Sequence, residues 1–459
     1  MDRATKPPEL QGSTPSGMVA PLLSPTVDEA GITLGHDARF ALDSPTCQEG
    51  GLAVRRRFCW PLFIPGLLQG KSTQVITPML PLFILDDLHG SISTVGFVAS
   101  AYSFSQVGTS VPMGFVLGRV HHRVAACACV AVIVVTALLT SACCTISQLL
   151  VLRVVSGAAA NSWNLSRKLW LATEVPKGAR GRISSTLTGM SRGAAFFAAL
   201  LSGFVAQHLC TRAVFLVQAS LSGCALLTLL SYVLTHERPA EEPCQKLKKQ
   251  SSWALGLVAI VRETWYGLLT AGGFSFILNS CRQMWMVVLP LKGHALGLQK
   301  VHIGCVVAVS RAMDAFMSIG VTGSIADTCG RKASGVPGMV IIALSYYLVT
   351  ASDDVQSLVI AAVLYGLGNG CTGGLTNTLS IDLAPEHGRA EFMGIWKMYT
   401  SIGSMTAPLL FGVLADVYGS LDQATLTCTF FALFGALWLG LTVRETAPLL
   451  PAKTFQMLG

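Results

Sequence analysis

Seven ionisable residues sit inside long apolar stretches of this chain: Lys71, Arg153, Arg192, Arg282, Arg311, Asp314 and Lys397. A charge at the centre of a bilayer costs about 2.5–3.5 kcal/mol on insertion scales, so such groups mark places where something binds or moves. Six of the seven are cations and one is an acid, an imbalance that pairing among themselves cannot close. Either the surplus cations face water in a cavity, or an incoming carboxylate, sulfate or phosphate completes them. Lys71 and Arg282, with Gln74 and Gln283 beside them, form the expected anion-binding set, and Arg192 and Lys397 a second basic pair. Asp314, alone among these groups, could carry a proton. Arg311 lies three residues before it and is expected to pair with it. Lys397, eight residues past Arg389, could instead snorkel to the membrane surface.

These side chains need elements that suit lipid. The chain has 459 residues, is 52% hydrophobic and 12% charged, and has a mean hydropathy of +0.57; soluble proteins carry about 25% charged residues. Apolar runs of about 20 residues, enough to cross a hydrocarbon core of about 30 Å, recur from Phe58 onward. In lipid each run must satisfy its own backbone, so the expected class is all-α and polytopic. About twelve spans are predicted, near 58–83, 93–117, 124–144, 147–171, 183–206 and 213–235, then 264–290, 302–325, 335–352, 356–380, 391–415 and 424–443. Residues 236–263 form the one long polar break, giving six-helix halves at 58–235 and 264–444. Residues 1–57, rich in Pro, Ser and acids with no apolar face, are expected to be a disordered tail, and 445–459 a second tail.

Basic residues cluster in alternate short loops: Arg55 to Arg57, Arg119 and Arg123, Lys177, Arg180 and Arg182, then Arg331, Lys332 and Arg389. The other loops carry Asp86, Asp87, Asp353, Asp354 and Asp422, with Arg212, Lys292 and Lys300 as exceptions. Cationic loops stay cytoplasmic, which predicts that both termini are cytoplasmic. The same distribution accounts for the net charge of +8 without a nucleic-acid partner. Many of the fourteen cysteines lie in apolar runs, where they read as small packing residues rather than a disulfide framework. No basic-then-apolar leader opens the chain, so the first span is expected to serve as its own targeting signal.

An internal repeat emerges from two anchors. Pro290 lies 209 positions beyond Pro81, and Gly323 lies 209 beyond Gly114; Gln283 and Gln74 share that offset. The second anchor opens Gly323-Ser-Ile-Ala-Asp327-Thr-Cys-Gly330-Arg331-Lys332. This segment resembles the loop signature G-x-x-x-D-x-x-G-R-K of the major facilitator superfamily. Arg153 to Gly157 is similar to that family's R-x-x-x-G pattern in span four, and Gly368-Asn-Gly370 through Asp382, Pro385, Arg389 and Gly394 resembles its tenth and eleventh spans. The first loop copy departs from the pattern, with Gly118 in place of the acid, which puts a latch built there in doubt. Span five has Gly189 and Gly193 without the Pro that antiporters often carry next.

The resemblance implies a secondary carrier that rocks two halves around a central cavity, with Arg153, Arg311, Asp314, Asp327, Arg331 and Lys332 in coupling or gating roles. The charge imbalance points to a small organic anion as solute, with proton or ion coupling open, no cofactor, no metal, no enzymatic activity and a monomeric state. A multidrug or amphiphile exporter working by proton antiport is the alternative, on the aromatic and Met residues Trp163, Phe274, Phe276, Met284 and Trp285. A receptor or scaffold that keeps the fold without transporting is another. Glu445-Thr-Ala-Pro-Leu449-Leu450 has the form of an acidic dileucine sorting signal, so an endosomal or lysosomal membrane stands beside the plasma membrane as a location. Asn164-Leu-Ser166 fits a glycosylation sequon, but its place in span four keeps it from the lumenal enzyme. The Gly366 to Gly374 run lacks the Lys-Ser/Thr ending of a phosphate loop and reads as tight helix packing.

Overall fold

The computed structural model describes residues 63–117, 120–174, 177–235, 253–320, 330–385 and 389–445. The expected tails, Asp327 and most of the 236–263 break lie outside them. The described residues form successive helices and no strand. In the first half these are α1 (Ile64–Ile76), α2 (Ile92–Leu117), α3 (His122–Ser141), α4 (Ile146–Glu174), α5 (Lys177–His208) and α6 (Ala213–Thr235). In the second they are α7 (Gly273–Ala295), α8 (Lys300–Gly320), α9 (Arg331–Thr350), α10 (Val355–Cys371), α11 (Arg389–Tyr418) and α12 (Leu421–Thr442). Among the described residues, seven helical stretches are by length and composition alone able to cross a membrane.

Two predicted spans are interrupted. α1 stops where Pro78 brings no N–H, and resumes as Leu80–Leu82 and a π-helical Phe83–Asp87. α10 stops at Cys371 and resumes as Leu375–Asp382, because Gly374 takes φ +82°, a left-handed turn that favours glycine. The predicted start of span seven at 264 falls inside a helix, since Trp253–Gly267 runs through a π-helical Leu268–Gly272 into α7.

Packing repeats between the halves. α1 packs on α5 and α6, α2 on α4, and α3 on α4 and α6; correspondingly α7 packs on α11 and α12, α8 on α10, and α9 on α10 and α12. The halves join through α2 against α11 and α5 against α8, a pair of contacts that exchange under the same correspondence. Lipid is as apolar as leucine, so these joints rest on close approach of small residues. A Cβ on Gly96 would meet the Pro408 carbonyl oxygen at 2.3 Å, and the Gly203 and Gly304 backbones leave no room for one on either. Within the second half, the Gly366–Gly374 run packs as read: a Cβ on Gly366 would lie 2.4 Å from the Ser310 carbonyl oxygen and one on Gly370 2.4 Å from Met317 Cβ.

Acidic-loop ends are fixed by charge. The three cations that break the loop bias are each neutralised there: Arg212 lies 3.7 Å from Asp87, Lys292 2.6 Å from Asp422 and Lys300 3.5 Å from Asp86. Asp86 also lies 3.4 Å from His294 Nε2, so it ties the first half to two residues of the second. At the far end the Glu445 carboxylate accepts the N–H groups of Arg331 at 2.8 Å and Lys332 at 3.1 Å, capping α9. That engagement ties up the acid of the sorting motif; the rest of the motif lies outside the described residues. The ten described cysteines are free.

Gly370→Val should be far more damaging than Gly223→Val, since a Cβ on Gly223 meets nothing within 4 Å. Overpacking of this kind costs about 1–3 kcal/mol. Thermal unfolding of the detergent-purified proteins checks it: a lowered midpoint for Gly370→Val alone is expected, and equal midpoints would contradict the packing.

Candidate functional site

Arg282 is held by neutral acceptors. It projects from α7 toward the break in α10, where its Nε donates to Asn369 Oδ1 at 2.7 Å and its Nη2 to both the carbonyl and the hydroxyl of Thr372 at 3.1 Å. Asn369 and Thr372 close the last turn of α10, and the negative end of a helix dipole favours a cation. The guanidinium is oriented without being neutralised. Its side chain is half-buried.

Lys71 projects from α1 with its Nζ 5.9 Å from the centroid of the Phe197 ring on α5, a cation–π contact, and it has no carboxylate partner among the described residues. Gln74 and Gln283 are half-buried on α1 and α7. Among the described residues neither Lys71 nor Arg282 has a carboxylate at ion-pair distance; Asp314, paired to Arg192, lies within electrostatic reach of Arg282.

Asp314 corrects two expectations. Its carboxylate lies 3.3 Å from Arg192 Nη1 of α5, bridging the halves, rather than pairing with Arg311. Ser318, one turn further along α8, accepts from Arg192 and donates to Asp314 at 3.2 Å. Aspartate is short, and the α5 surface pressed against α8 supplies a closer cation than Arg311, which turns toward Met286 Sδ on α7. Arg192 is thus a partnered cation, not half of a free basic pair with Lys397. The pair is 26% and 11% exposed, so water or a solute can reach it.

Arg153 lies over the Tyr102 ring at 4.9 Å, joining α4 to α2. Lys397 is exposed on α11 and within electrostatic reach of Lys168 on α4. Arg331 Nε lies 3.5 Å from Asp382, and Lys332 Nζ donates to the Gly440 carbonyl at 2.9 Å, so this part of the loop signature ties α9 to the ends of α10 and α12.

The aromatic and Met residues set aside for an amphiphile behave differently. Trp163, Phe274, Met284 and Trp285 are buried in the helix cores. Phe276 alone is half-buried, against Tyr399. Sequence reasoning missed Asn369, Thr372 and Ser318. A polar residue inside the glycine run was the available signal for Asn369; Thr372 and Ser318 are ordinary helix residues until their neighbours are known.

The geometry is that of two matching helix bundles with cations and ion pairs along their seam. A family model, the Major Facilitator Superfamily, matches residues 62–321 and 274–456. Among curated relatives, the multi-drug resistance efflux pump PmrA of Streptococcus pneumoniae is 23% identical over 80% of this chain and 91% of its own length. Among solved structures, a variant of the nucleoside transporter NupG superposes with a TM-score of 0.68 at 14% identity, over 84% of this chain and 99% of that one. A POT family transporter in complex with 5-aminolevulinic acid gives 0.67 at 13% identity, over 83% and 95%. The structural likenesses establish the fold alone. The match over both halves carries the assignment: the chain belongs to the Major Facilitator Superfamily and is an integral, multi-pass membrane transporter.

Proposed function

We propose that this transporter carries a small organic anion by alternating access, gripping its acidic group between Lys71 and Arg282. One observation carries the reading: both are half-buried cations on the first helix of their halves, with no carboxylate at ion-pair distance among the described residues. An anion repays their burial, and a cationic solute would add to it. Exposed Lys168 and Lys397 support a positive entrance on the basic-loop side, the side that the loop charges favour as cytoplasmic. Close glycine contacts and the Asp86–His294–Lys300 cluster support closure of the opposite side. The state described is then cytoplasm-facing.

Asp314 is the proposed proton carrier. Adding a proton to it removes the partner of Arg192, loosening α5 from α8 and freeing a third cation for the solute. A second reading, a multidrug exporter, is supported by the similarity to PmrA. Burial of most of the candidate aromatic lining weighs against a broad amphiphile cavity.

Lys71→Met and Arg282→Met should each weaken apparent anion affinity by about 1.5–3 kcal/mol, or roughly ten- to a hundred-fold, in proteoliposome uptake. Arg282→Lys should recover only part, because a point charge cannot replace a planar fork held by two partners. Unchanged affinity in both Met variants would leave the exporter reading standing.

Arg192→Gln strands the Asp314 carboxylate and should lower the thermal midpoint more than Arg192→Gln combined with Asp314→Asn. Asp314→Asn alone should abolish uphill accumulation driven by a proton gradient while solute exchange across the membrane persists. Accumulation as in the wild type would refute the coupling role.

A further inference from the structure

Trp285 and Tyr365 stack face to face in the second half, with ring centroids 3.9 Å apart and planes 1° apart. Each is 1% exposed, yet the indole Nε1 and the phenol Oη have no hydrogen-bond partner. Buried polar atoms are nearly always paired, and an orphan in a well-packed core calls for a missing partner. Trp285 also lines a small cavity with Arg311, Met286 and Ser310 of the second half and Thr77 and Pro78 at the break in the first-half α1.

The polar groups of this cavity lack one kind of partner. Arg311 reaches only Met286 Sδ, a weak acceptor, and has no carboxylate among the described residues. Indole Nε1 can only donate, and a guanidinium can only donate. The Thr77 hydroxyl already donates to the Thr73 carbonyl at 3.3 Å and so has its lone pairs to offer. Tyr365 lies within electrostatic reach of both Arg311 and Arg282, and of Asp314, which is engaged by Arg192. A water could satisfy the indole, but it leaves the guanidinium charge uncompensated. No acid is present to hold a metal ion. What the cavity lacks is an acceptor carrying negative charge.

Its position is also informative. Trp285 and Pro290 follow Arg282 toward the acidic-loop end of α7, and Arg311 lies one turn nearer that end of α8 than Asp314. The seam between the halves passes through it, so rocking them apart at that end would widen it.

We propose that Arg311 and Trp285 form a second anion station, separate from Arg282, that takes the carboxylate or sulfonate head of the solute as the carrier turns to its acidic-loop side. This rests on the anion reading above. In the state described the cavity is water-sized, about 10 Å³, so a head group enters only once the seam widens at that end.

The test uses the full chain in lipid nanodiscs and benzenesulfonate as probe, titrated calorimetrically at fixed ionic strength. Wild type should bind at two steps. Arg311→Gln should weaken one step roughly ten- to a hundred-fold and leave the other, whereas Arg282→Gln should do the reverse. Trp285→Phe keeps an aromatic ring against Tyr365 while removing the N–H, and should weaken the Arg311 step roughly two- to ten-fold and leave the Arg282 step unchanged; it decides the matter if Arg311→Gln fails to fold. One step lost equally in Arg311→Gln and Arg282→Gln would overturn a separate station, as would a wild-type isotherm in Arg311→Gln, the result for a cavity that holds only water. Loss of nothing in Arg282→Gln with loss of a step in Arg311→Gln would keep the station and sink the Lys71–Arg282 reading instead. Absence of binding in wild type would sink both.

Discussion

A guanidinium in the middle of a membrane protein must be oriented, kept wet or matched with an anion, and the hydrogen bonds that hold Arg282 come from neutral groups, while Asp314 within its electrostatic reach is paired to Arg192. Two neutral residues at the end of α10 hold its fork in place. Much of the second half serves that arrangement. Gly374 breaks α10 so that the Thr372 carbonyl points to the cation, and the glycines before the break let α10 press against α8 and α9. Asp314 is paired to Arg192, and under the proposed reading a negatively charged ligand completes Arg282.

The two ends of the bundle are built differently. On the acidic side, glycine-to-backbone contacts and ion pairs draw the halves together, and Asp86 reaches both His294 and Lys300. Toward the basic side, Lys168 of the first half and Lys397 of the second are both exposed. Midway stands the Arg192–Asp314 pair, partly accessible and shared between halves. Under the proposed anion reading, transport through this frame amounts to exchanging which side of one central charge is sealed, with the ion pair as the element that proton and solute would bias.

The fold was readable because lipid permits few alternatives: apolar runs of membrane length, a repeat at a fixed offset and one well-preserved loop signature lead to twelve helices in two bundles. Helix breaks at Pro78 and Gly374 were less legible, since each residue type occurs within spans without breaking them. Charged residues could be found by type, but not by partner. Arg311 and Asp314 look like a pair along α8, and only the approach of α5 shows that Arg192 claims the acid. Similarly, Arg212, Lys292 and Lys300 read as exceptions to the loop bias until Asp87, Asp422 and Asp86 are seen beside them. The aromatic residues erred in the other direction, because hydrophobic side chains at helical spacing do not announce whether they face a cavity or the core.

Charge selectivity separates an anion carrier from a general amphiphile exporter most directly. Benzoate, benzyl alcohol and benzylamine share a ring and differ in charge, so their ability to compete for the central site of the reconstituted protein reports the sign of that site alone. Anion carriage predicts benzoate as the tightest competitor and benzylamine as the weakest; benzylamine binding as well as or better than benzoate would contradict it.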